Sequence, residues 1–201
     1  MGSISGNIST ALGTKIPNAK VKLTPNWGGS VYLDGADDYI TIPDGDEFEF
    51  SDNTILPNAT LDLWIYPTGS IQDATLLSKG SAWSMGLSTS GSFQYLVYKV
   101  NGSNVIISDD AIAVGEWTHV SIVKTTINGS SSVQLFLNGS LASINNNGST
   151  TATQSHVAGN SNSFLVGKDN SGNFFRGNVD DLRTWNSAKS ADEIAQYFAQ
   201  I

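Results

Sequence analysis

The sequence predicts an all-β, antiparallel sandwich or barrel that carries one short helix at its C-terminus. Three observations support that expectation. Short apolar runs alternate with a period of two, as strands packed on a core do. Asn-Gly pairs at 101–102, 128–129, 138–139 and 147–148 punctuate these runs. Asn and Gly both accept the positive φ that a two-residue type I′ hairpin turn requires. Only the extreme C-terminus joins a helix start signal to helical apolar spacing. A chain of 201 residues, 39% of them apolar, fits one large domain of this class and excludes a fully disordered chain.

In chain order, residues 1–29 form an N-terminal arm or an extra strand pair, and residues 30–201 form the domain proper. Within the first part, residues 3–9 and 20–24 read as strands around a turn-rich stretch at 12–18. They either add a strand to a partner or complete this domain's own sheet. Residues 59–66 alternate with Leu61, Leu63 and Ile65 on one face. Residues 117–123 and 133–137 carry apolar groups on both faces, so both strands are expected to be covered on both sides. Asn101-Gly102 and Asn138-Gly139 close hairpins. At the end, Ser190 and Glu193 have the spacing of a capping box, and Ile194, Tyr197, Phe198 and Ile201 form one apolar stripe. That helix is expected to lie as a lid on the sheets.

Charge narrows the partners. Ten basic against 18 acidic residues give a formal net charge of -8 and a pI of about 4.5. Such a field repels phosphate backbones and anionic membrane surfaces, so neither nucleic acid nor membrane insertion is expected. No run approaches the roughly 20 apolar residues of a membrane span. Cysteine is absent, which removes a disulfide framework, a thiolate nucleophile and Cys-ligated zinc. The first residues lack the basic and apolar regions of a signal peptide, and Gly6 breaks the myristoylation pattern. Six Asn-x-Ser/Thr sequons occur, and hairpin chemistry explains the four that are Asn-Gly-Ser.

From Val31 onward a series of motifs follows in order. These are Tyr32-Leu33-Asp34-Gly35, Leu63-Trp64-Ile65-Tyr66-Pro67, Leu77-Ser78-Lys79-Gly80, Gly115-Glu116-Trp117-Thr118-His119-Val120, Leu135-Phe136-Leu137-Asn138-Gly139 and Gly177-Asn178-Val179-Asp180-Asp181-Leu182. The order resembles the laminin-G-like branch of the concanavalin A-like lectin/glucanase superfamily, related to pentraxins, over residues 30–199. The resemblance implies a two-sheet antiparallel jelly-roll sandwich. It also implies a structural calcium held by Asp34 with Asp180 or Asp181, of which strand alternation turns only one inward. Ten acidic residues and no Lys or Arg lie between Lys22 and Lys79, and hard carboxylate oxygens suit Ca²⁺. Turn capping by Asp34 and the Asp pair is the alternative.

Sugars pack their C–H faces on exposed rings, while Asn, Asp and Gln read their hydroxyls. The family pattern expects Trp64, Trp83, Trp117 and Trp185 in the core. Trp27, Tyr95, Tyr98, Phe174 and Phe175 are less expected, and Tyr95 and Tyr98 cannot share a strand face. Candidate sugar platforms are Trp27, Trp83 and Tyr95. Catalysis finds no carrier: the Glu-x-Asp-x-x-Glu strand of glucanases on this fold is missing. His119 reads as a structural histidine in an apolar strand, and His156 as a loop residue with no evident partner.

Two functions follow. One is a non-catalytic, lectin-like adhesion module for a neutral or cationic surface glycan, part of a larger surface or virion assembly. The other is a virion structural protein, a capsid decoration or fibre component whose arm docks on a lattice. The expected partners are a glycan or a capsid or surface protein, with a homo-oligomer left open. The expected place is an extracellular surface or a virion.

Overall fold

The computed structural model describes residues 4–5, 29–69, 72–145 and 149–199. Two facing sheets are built from strands numbered here in chain order. The first runs β1 (Ile4–Ser5), β3 (Ile40–Ile42), β13 (Phe164–Val166), β5 (Ala74–Lys79), β6 (Trp83–Ser90), β7 (Phe93–Val100), β8 (Ser103–Ile112). The second runs β11 (Ser140–Leu141), β10 (Ser130–Leu137), β9 (Thr118–Ile127), β4 (Ala59–Pro67), β14 (Arg176–Trp185), β2 (Val31–Asp34), with β12 (Ala152–Gln154) also paired to β10. Among the described residues, every pairing between these strands is antiparallel except β1 on β3. Of the N-terminal arm, residues 6–28 lie outside the described residues, and Trp27 with them.

Period-two alternation fills the space between the sheets. Leu61, Leu63 and Ile65 of β4 and Val120 and Ile122 of β9 face inward, at 1% exposure or less. They share one core with Leu77, Met85, Leu87, Leu96 and Ile106 of the first sheet. The hairpin turns have the backbone that Asn-Gly dictates: φ is 48° at Asn101, 51° at Asn128 and 49° at Asn138, each followed by a positive-φ glycine. The fourth pair, 147–148, lies outside the described residues.

Helix α1 (Ala191–Phe198) begins with the capping box, Ser190 and Glu193 exchanging hydrogen bonds with each other's backbone amides. Ile194 is fully buried against Val123 and Phe136, so α1 covers the outer face of the second sheet. Trp64 stacks on Phe198 at 5.6 Å and Trp185 on Tyr197 at 4.9 Å. No helix among the described residues is long and apolar enough to cross a membrane.

Register sorts the loops into two ends of the sandwich. The β3–β4, β5–β6, β7–β8, β9–β10 and β12–β13 connections gather at one end, where aromatic packing and buried lysines close the core. There Phe48 stacks on Phe164 at 4.5 Å, Phe50 meets Tyr98 edge-on at 5.6 Å, and Trp83 donates its indole N–H to the Phe48 carbonyl at 2.9 Å. Lys79 is fully buried, paired to Asp44 and, at 3.1 Å, to Glu49. Lys124 is also fully buried and donates to the carbonyls of Phe50 at 2.6 Å and Asp52 at 3.3 Å. The β2–β3, β4–β5, β6–β7, β8–β9, β10–β11 and β13–β14 connections gather at the opposite end.

Candidate functional site

At that second end, outward positions of β4 and the start of β9 form a ladder on the outer face of the second sheet. Asp62 lies opposite Ser121 and Trp64 opposite His119. Helix α1 covers these two rungs. Just past the last paired residues, Ile65 and Thr118, the rings of Tyr66 and Trp117 meet with centroids 5.5 Å apart. Trp117 is 43% exposed, which corrects the expectation of a core tryptophan. Parity explains the position: Thr118, Val120 and Ile122 face the core, so Trp117, His119 and Ser121 face outward.

Trp117 borders a depression of about 300 Å³ between the end of β8, the β8–β9 loop and the β10–β11 turn. Asp110, Ala111 and Ile112 form one wall, Glu116 stands beside the ring, and Leu137 and Asn138 complete it. The loop is fixed from below. Gly115 adopts φ 82° and donates its amide to the Pro67 carbonyl at 2.7 Å. Asn138 accepts the His119 amide through Oδ1 at 3.0 Å, so its side chain offers a ligand the NH₂ group. Asp110, Glu116 and Asn138 are exposed. One exposed ring with carboxylate and amide groups around a concavity joins an apolar face to polar groups that can hydrogen-bond a ligand.

The proposed platforms are placed differently. Trp83 is 1% exposed, inside the aromatic core, because it shares inward parity with Met85 and Leu87. It offers no face to a ligand. Tyr95 points outward from β7, opposite Ala111 of the depression wall, and is half-buried. Tyr98 points inward, fully buried, and donates its hydroxyl to Gln154 at 2.6 Å. Phe175 is buried and Phe174 half-buried.

A second aromatic group stands at the same end. The Lys168 ammonium lies 3.8 Å from the Tyr39 ring centroid and 5.5 Å from that of Phe174. Asp169 orders the loop below it, accepting from the amides of Ser171 and Asn173 and from the side chains of Asn173 and Thr75. Burial alone would raise the Asp169 pKa, but these bonds outweigh it and hold the carboxyl below its ordinary value. The Tyr39 face is thus occupied by the protein's own cation.

The carboxylates named for calcium do not meet. Asp34 lies opposite Arg176 at the start of β14. Asp180 is four residues farther along that strand, roughly 13 Å at 3.3 Å per residue, and Asp181 farther still. The strict alternation expected of the Asp pair is also broken. A register shift separates Asp180 from Arg183, Asp181 adopts φ 49°, and its carboxylate pairs with Arg183. Asp34, Asp37 and Asp38 do bring carboxylate oxygens within 4.8 Å of one another. Their bonds are those of a turn: Asp34 Oδ1 accepts the amides of Ala36 at 2.8 Å and Asp37 at 3.2 Å, which lower its pKa. The ligand set that the resemblance implies is not assembled by this register.

His119 lies under α1, 1% exposed, with Nε2 3.7 Å from Asp62 Oδ2. Burial, partly offset by His119, raises the Asp62 pKa. Asp62 Oδ2, His119 Nδ1, Ser121 Oγ and Asp181 Oδ1 have no hydrogen-bond partner among the described residues. The helix closes this group off from solvent. His156 differs from expectation in having neighbours: Nδ1 accepts the Asn53 amide at 3.2 Å and lies 3.9 Å from Asp52.

A family model of the concanavalin A-like lectin/glucanases superfamily, Laminin G 3, matches residues 34–195. The chain belongs to this family. Among curated proteins, none matches the sequence. Solved structures with the same fold include domain 4 of AbnA, an extracellular arabinanase from Geobacillus stearothermophilus, in complex with arabinotriose. It is 19% identical, with a TM-score of 0.58, over 92% of this chain and 82% of that one. A heptameric SAP-like pentraxin from Limulus polyphemus is 19% identical with a TM-score of 0.54, over 70% and 69% of the two chains. The binding domain of botulinum neurotoxin DC in complex with SialylT is 12% identical with a TM-score of 0.56. The match spans 91% of this chain and 44% of the toxin domain. At these identities the likeness is one of fold.

Proposed function

We propose that this laminin-G-like domain is a non-catalytic, lectin-like module that binds a surface glycan outside the cell, in the depression beside Trp117. The observation that carries the reading is the 43% exposed Trp117 ring beside a concavity rimmed by Asp110, Glu116 and Asn138. Several other apolar side chains are as exposed, and among them Trp117 is the one that lines this depression. Two neighbours of the same fold are described with saccharides, arabinotriose in one and SialylT in the other, which supports the class of ligand. The capsid-docking alternative rests on residues 1–29, of which 1–3 and 6–28 lie outside the described residues, and no observation favours it.

The test is binding to a broad glycan panel by the whole chain and by Trp117→Ala. Truncating a central aromatic anchor costs on the order of 2 kcal/mol, about 30-fold in Kd. We expect saturable binding to at least one glycan, weakened by that factor in the variant, which still unfolds cooperatively because the core between the sheets is untouched. A folded protein that binds no glycan, or a variant that binds like wild type, overturns the reading.

A further inference from the structure

The Trp117 depression has a one-sided charge. Asp110 and Glu116 both border it, and among the described residues its lining contains no Lys, Arg or His. The whole chain adds a net charge of -8. A ligand carboxylate placed there meets two like charges with no counter-ion, whereas a ligand ammonium meets two opposite charges and the negative face of an indole. The same end of the molecule already shows this chemistry internally, where the Lys168 ammonium rests 3.8 Å over Tyr39.

We propose that this site selects glycans that carry a free amino sugar, its ammonium held against the Trp117 ring and paired with Asp110 and Glu116. The inference rests on the glycan-binding reading above and sharpens it to a ligand class. Hydroxyls of the same saccharide are read by Asn138 and by the carboxylate oxygens not engaged by the ammonium. Uronic and sialic acids are rejected by the same two carboxylates, since specificity is often set by an unpaired like charge.

The probes are trisaccharides of glucosamine, N-acetylglucosamine and a uronic acid, titrated calorimetrically into the full chain at low and high salt. The glucosamine trimer is expected to bind at least about tenfold more tightly than its N-acetylated counterpart at low salt, and the uronate trimer not to bind. The preference shrinks at high salt, because exposed charges are screened within about 10 Å at 0.1 M. It also disappears in the Asp110→Asn, Glu116→Gln double variant, in which the glucosamine trimer loses more affinity than its N-acetylated counterpart. Equal binding of the two glucosamine forms, or binding of the uronate, overturns the amino-sugar assignment while leaving the glycan reading intact. Glucosamine binding that survives Trp117→Ala shows diffuse attraction to an acidic chain and overturns the assigned site. If no saccharide binds here or across the panel, both readings fail together.

Discussion

Lys124 is the buried group whose perturbation is most readily predicted. It faces the core from β9, opposite Ala59 and Val133, with no exposed surface. Burial lowers its pKa from 10.5 to about 8, against an opposing attraction from Asp52. At 1.36 kcal/mol per tenfold change, that fall corresponds to a folded-state penalty of about 3 kcal/mol on the charged form. The sign follows from linkage: between pH 8 and 10.5 the unfolded chain holds a proton that the folded chain has released, so stability rises with pH across that window. Lys124→Met removes the titration. Urea unfolding followed by tryptophan fluorescence at pH 7 and 10 compares the two proteins, and titrations common to both cancel. Relative to the variant, wild type should gain about 2 to 3 kcal/mol. With m of about 1–3 kcal/mol/M, its urea midpoint then rises by on the order of 1 M. A difference that stays constant from pH 7 to 10 would refute the claim that an ammonium is held desolvated over the Phe50 and Asp52 carbonyls.

Three further outcomes test other parts of the fold. Burial favours a raised Asp52 pKa, but the Thr54 hydroxyl and the amides of Gly159, Ile55 and Thr54 outweigh it and hold it well below 3.8. Its stabilisation is full above about pH 5 and is lost as pH falls below 3.8, so Asp52→Asn should flatten the fall of Tm in acid. Gly177 has φ 149°, and a Cβ there would stand 2.2 Å from the Tyr66 carbonyl. Gly177→Ala should therefore cost at least about 2 kcal/mol in urea unfolding. Ser121 buries a hydroxyl with no partner among the described residues. Ser121→Ala should leave Tm unchanged or raise it, and a clear fall would reveal a bond to a group not described.

The two ends of the sandwich differ in how they are closed. One is sealed by stacked aromatics and by Lys79 and Lys124, which draw the 44–52 and 154–162 segments onto the core through backbone carbonyls and carboxylates. The other leaves Trp117 beyond the reach of α1. Trp117 immediately precedes β9, whose inward residues are anchored in the core, and under the proposed glycan-binding reading its exposed ring is where a ligand docks.

The site was only partly legible in the sequence. The surplus of rings and the acidic character were visible, and parity with Val120 and Ile122 was enough to turn Trp117 outward. The same parity turns Lys124 inward and Trp83 into the core. Those signals were outweighed by the family pattern, which treats all four motif tryptophans alike. Asp34 and the Asp180-Asp181 pair look equivalent as turn carboxylates in the chain, yet the β2–β14 register keeps them apart.

What the sequence determined by itself was local. Asn-Gly imposes positive φ and hence the hairpins at 101, 128 and 138. Alternation imposes two-faced strands, and Ser190 with Glu193 starts the helix. These depend on sterics and hydrogen bonds within a few residues, so no distant partner is needed to read them. The tertiary structure decided which outward residues are then covered. His119 is buried beneath α1 and Trp64 is half-covered by Phe198, while Trp117, two residues before His119, remains exposed. That outcome depends on where a helix some 70 residues later comes to rest and on how far it extends, a distance across the fold that no local pattern encodes.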